Sequence, residues 1–93
     1  MRAIGEVEHG LGRERSLVAV RERLTIASTE SSRNARIQEN RYRRGLSSVM
    51  ELLQARDQDL DLRRRIIAID GEILSNRIAL ALAVGAAFEE QES

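Results

Sequence analysis

Residues 44–83 read RGLSSVMELLQARDQDLDLRRRIIAIDGEILSNRIALALA, and this stretch decides the fold. Gly45 suits the left-handed backbone that ends a helix. Ser48 followed by Glu51 fits a capping box, in which hydroxyl and carboxylate satisfy backbone donors at a new helix start. One helix stops and another begins within about four residues, and so short a connection sets the two antiparallel. Beyond the turn, steps of seven from Leu46 give Leu53, Leu60, Ile67, Leu74 and Ala81, an unbroken apolar row. That period marks helices that pack along their length. A second apolar row runs Leu52, Leu62, Ile66, Ile69, Ile73, Leu80 and Ala83. At 100° per residue it lies about 120 to 160° around the helix from the first, with Arg56, Arg63, Asp70 and Arg77 in the gap. A two-stranded coiled coil needs one apolar seam per helix, whereas two seams on separate flanks call for a neighbour on each side, as in a wall of helices.

Upstream, Gly5, Gly10 and Gly12 weaken helix near the start, but from Arg13 to Arg44 there is neither Gly nor Pro and the composition tolerates a long helix. The reading predicts an all-α fold: one long antiparallel helical hairpin, coiled-coil-like, over residues 1–93, with a helix at about 4–43, a turn at 44–48 and a helix at about 49–88. In the first arm Leu17, Val20, Leu24 and Ala27 keep three–four spacing, but Ser31, Asn34 and Gln38 continue it with polar groups. Packing toward the turn is therefore expected to be loose or wet.

Composition narrows the function. Hydrophobic residues make up 42% of the chain but aromatics only 2%, so the apolar content is aliphatic material for helix packing. A chain of this size sits near the lower limit for a self-sufficient core, which favours an assembled object over a globule. The 15 basic residues, all arginine, balance 15 acidic ones, so no net field recruits nucleic acid or acidic lipid. The arginine runs 41–44 and 63–65 fan around their helices and have Glu39, Asp57, Asp59 and Asp61 nearby, and the run 63–65 has no interleaved aromatic for base stacking. No nucleic-acid partner is expected. Without cysteine there is no disulfide, thiolate nucleophile or thiolate metal site, and the lone His9 beside Glu6 and Glu8 reads as a solvated helix residue. Carboxylates fall on exposed helix faces with no phosphate loop and no nucleophile–base pair, so neither catalysis, a cofactor nor a metal is expected. The N-terminus has no apolar stretch of the kind an export signal needs. The longest apolar run, Ile78 to Phe88, is about half of the roughly 20 residues that span a bilayer.

The stretch from Asn40 through Arg41, Tyr42, Gly45 and Leu46 to Leu52, Leu53 and Ala55 resembles the Arg-Tyr-x-x-Gly, then Leu-Leu-x-Ala, signature of TolC-like outer-membrane efflux proteins. Asn76, Arg77, Leu80, Ala83 and Gly85 resemble that family's Asn-Arg-x-x-Leu-x-x-Ala-x-Gly ending, and Glu6-Val7-Glu8 the start of its helix pair. The likeness covers nearly the whole chain, in order, and only the C-terminal hairpin of such a protein: no alternating membrane strands and no second hairpin are present. It implies a piece of a periplasmic α-barrel in a homotrimeric outer-membrane channel, exporting small molecules or polypeptides. The resemblance further implies that the hairpin tip (Arg41, Tyr42, Arg44, Gly45, Leu46 and Ser47) contacts a periplasmic adaptor protein linked to an inner-membrane pump. Arg44 departs from the small or apolar residue common before that glycine, and a cation there prefers a different adaptor surface. Taken alone, Gly45 with Ser48 is simply a turn and cap, and Tyr42 a ring packed across the hairpin mouth. The alternative function is a free-standing coiled-coil module for protein–protein interaction.

Overall fold

The computed structural model describes residues 2–92. The chain is all α: α1 (Arg2–Arg43) and α2 (Val49–Glu92), joined by residues 44–48. Gly45 has φ 73°, the one positive φ among the described residues. Its N–H donates to the Tyr42 carbonyl at 3.0 Å, and the Leu46 N–H reaches back to the Arg41 carbonyl at 2.8 Å. These paired bonds form a Schellman motif, which satisfies carbonyls that the helix end would otherwise orphan. Ser48 then caps α2, its Oγ accepting from the Glu51 N–H at 3.2 Å.

α1 runs unbroken through Gly5, Gly10 and Gly12, where the sequence suggested weakness. At Gly10 the reason is contact. A Cβ there would lie 2.6 Å from Leu80 Cδ2 and 2.9 Å from Leu80 Cγ, so the missing side chain lets Leu80 seat against the backbone. That packing offsets the roughly 1 kcal/mol that glycine costs a helix interior.

The chain forms two compact units, one joining the chain up to Arg21 with the chain from Ile69, the other holding Glu22–Ala68. In the first, Asn76 reaches Gly10, Arg77 reaches Glu14 and Arg21 clasps Asp70, so the segments run antiparallel. Ile69, Ile73 and Ala83 are buried there together with Ala3 and Leu17. In the second unit, which contains the turn, Ser32 meets Asp59 and Glu39 meets Arg56, again antiparallel. Leu52, Ala55 and Ser31 are buried in it, with Leu24, Leu62 and Ile66 half-buried.

Up to Ala83 the covered positions of α2 are Leu52, Ala55, Asp59, Leu62, Ile66, Ile69, Ile73, Asn76, Leu80 and Ala83. They alternate steps of three and four without a break, the signature of helices packed side by side along one stripe. On α1, Leu17, Val20, Leu24 and Ala27 are covered to varying degrees, but Asn34 faces solvent and Ala35 takes the inward place. Gln38 has a buried Oε1 with no hydrogen-bond partner, an imperfectly matched polar contact in the turn-proximal part of α1.

Candidate interaction surface

Two of the covered positions on α2, Asn76 and Asp59, are polar and find partners on α1. Asn76 is 7% exposed, and its Nδ2 donates to the Gly10 carbonyl at 2.9 Å and to Glu14 Oε2 at 3.4 Å. Arg77 Nε donates to Glu14 Oε1 at 2.7 Å, so one carboxylate collects both neighbours. Asp59 accepts from Ser32 Oγ at 2.6 Å and pairs with Arg63 at 3.3 Å. Each buried polar group here is matched to a donor or acceptor, which removes most of the cost of desolvating it. Reading apolar periodicity alone passed over Ala55 and Asp59, and did not see what Asn76 holds. The signal that could have found them is the three–four phase itself, which both polar residues keep.

The line Arg56, Arg63, Asp70 and Arg77 lies between the two apolar rows. Arg56 bonds Glu39 at 3.1 Å, Arg77 bonds Glu14, Asp70 bonds Arg21, and Arg63 pairs with Asp59 on its own helix. These charges are spent within the hairpin, and the border of the outer row that faces the covered row is neutralised. The Arg77 hydrogen bond holds the Glu14 carboxyl below its ordinary 4.5, and the Arg21 hydrogen bond holds Asp70 below 3.8. A carboxyl with a depressed folded-state pKa contributes stability that is full above its unfolded value and lost as the pH falls through the folded one. The melting temperature should therefore hold from neutral pH to about 5 and fall below that. Thermal melts of the chain and of a Glu14→Gln, Asp70→Asn variant check this: the variant should lose less on acidification, and an identical acid slope would exclude both groups.

The residues of the two rows part company. Leu52, Ile69 and Ile73 are buried and Ile66 half-buried. Leu53 and Leu60 are each 48% exposed, Leu74 61% and Ile67 73%. Within one chain only one row is covered, and the other stands open along α2. At the tip, Arg41, Tyr42, Arg44 and Leu46 are exposed and Ser47 is half-buried. Arg41 Nη2 donates to the Leu46 carbonyl at 3.3 Å and Ser47 Oγ to the Gln38 carbonyl at 3.4 Å. Arg41 and Ser47 thus brace the turn, while Arg44, Tyr42 and Leu46 present an arginine, a ring and an aliphatic group outward.

Among the described residues no group of three or more His, Asp or Glu side chains is placed to hold a metal, and no helix is long and apolar enough to cross a membrane. The chain matches no family model, no curated protein and no solved structure.

Proposed function

We propose that this chain is a helix-docking module, a hairpin whose function is to bind other helices through the open row of α2. One observation carries this reading: Leu53, Leu60, Ile67 and Leu74 recur every seven residues on one flank, all exposed, beside charges already neutralised by α1 or by their own helix. Seven-residue spacing of aliphatic groups serves packing against another helix, and a neutralised border on the side of the covered row lowers the electrostatic cost of covering it. Sedimentation equilibrium tests the reading. The chain should sediment above its 10.5 kDa mass, and Leu60→Ser with Ile67→Ser should shift it toward that mass while circular dichroism keeps the helices. A monomer at every concentration, or assembly indifferent to the two serines, overturns it.

A second reading places the module in a particular assembly. Two apolar rows on separate flanks of α2, with the exposed tip residues Arg41, Tyr42, Arg44 and Leu46, fit a stave in the periplasmic α-barrel of a TolC-like homotrimeric export channel, its tip meeting an adaptor protein and through it an inner-membrane pump. The coding frame upstream tests this: strand-rich segments and a further hairpin in the same register support the channel, and a separate start and promoter overturn it.

A further inference from the structure

The outer row of α2 is neutralised on the border toward the covered row and charged on the other. There Asp57 follows Leu53 by four positions and Arg64 follows Leu60 by four, so both stand beside the row on the same side. Both are exposed, and neither side chain makes an ion pair or hydrogen bond with any described residue. A helix laid on Leu53, Leu60 and Ile67 therefore lies against a carboxylate and a guanidinium that have no partners of their own. Covering them unpaired costs free energy that the aliphatic row has to offset. We infer that the helix docking on this part of the row is α2 of a second copy of the chain, running antiparallel, with Asp57 of each copy facing Arg64 of the other. The inference rests on the helix-docking reading and names the partner and its direction.

Charge complementarity singles out that occupant. The stretch from Met50 to Ile67 complements itself only when reversed. Laid side by side in the same direction, two copies set Asp57 against Asp57 and Arg64 against Arg64, two repulsions in one seam. Turned end for end about a two-fold axis near Gln58 and Asp59, they set Asp57 against Arg64 twice, once on each side of the axis. Side chains of a helix lean toward its N-terminus, so in that register the two charged groups lean toward each other. The same register brings the methylene stem of Arg64 over Leu53 of the second copy while its head reaches the carboxylate. It also sets Met50 level with Ile67, the two most exposed apolar groups of the stretch at 60% and 73%. All of these positions belong to the second unit. A foreign helix has to supply the opposite charge pair at the same spacing, whereas a second copy already carries it.

Sedimentation equilibrium of the full chain and its charge variants is the test. Asp57→Arg sets arginine against arginine twice and Arg64→Asp sets aspartate against aspartate twice, so each should weaken self-association about tenfold or more. Both positions face water in the single chain, so circular dichroism should show unchanged helix content. The combined variant Asp57→Arg, Arg64→Asp should recover the original association, and an equimolar mixture of the two single variants should associate more tightly than either alone. Self-association that yields to Leu60→Ser with Ile67→Ser but ignores both single reversals overturns the antiparallel second copy and leaves the docking module standing. Single reversals that weaken association with no recovery in the combined variant or the mixture do the same. A chain that stays monomeric at every concentration overturns both.

Discussion

Serine in place of both Ile69 and Ile73 will abolish cooperative melting of the first unit, whereas the same exchange at Leu60 and Ile67 will leave the helices intact. All four are aliphatic residues of one helix, and sequence alone gives the two pairs equal standing. Ile69 and Ile73 are buried, at 8% and 6% exposure, against the segment of α1 that contains Leu17. Truncating one such isoleucine costs about 2–5 kcal/mol, and a hydroxyl left without a partner adds to that. Two in a single seam remove about 5 kcal/mol or more, which is comparable with the whole stability of a small domain. Leu60 and Ile67 already face water, so serine there changes little that folding buries. Far-UV circular dichroism with thermal melts of both double variants gives the comparison. Equal losses in the two would mean that the rows are not divided between an inner and an outer role.

The turn was legible in the sequence because its determinants are local. Gly45, Ser48 and Glu51 lie within seven positions, and the bonds they make or permit span three to five residues. The covered row of α2 was legible in its apolar members for the same reason, since a period is a property of one strand of sequence. Its polar members were not. Asn76 belongs in the seam only because the Gly10 carbonyl lies opposite, 66 residues away, and Asp59 only because Ser32 does. A polar residue on an apolar stripe looks like a fault until its partner is known. Gly10 shows the converse: read alone it weakens a helix, but its missing side chain is what makes room for Leu80. The outer row is legible as a period of seven, but its openness is not, because which flank of α2 is covered depends on where α1 lies.

Valine at position 45 should destabilise the hairpin by about 2 kcal/mol, and the cause will be backbone strain alone. A Cβ at Gly45 would find nothing within 4 Å, so no clash accompanies the substitution. What valine meets is φ of 73°, which crowds any Cβ against the backbone and a β-branched one most. To relieve it, the chain must leave the left-handed region and break the bonds from Gly45 to Tyr42 and from Leu46 to Arg41, freeing carbonyls at the end of α1. A graded series separates strain from loss of packing. Asparagine tolerates this backbone, alanine less and valine least, so the melting temperatures should fall in the order Gly45, Gly45→Asn, Gly45→Ala, Gly45→Val. Side-chain size cannot produce that order, because asparagine is far larger than alanine in the same open space. If alanine were better tolerated than asparagine, positive φ would not be what holds the turn, and the antiparallel pairing would have to be fixed by the seam on either side of it.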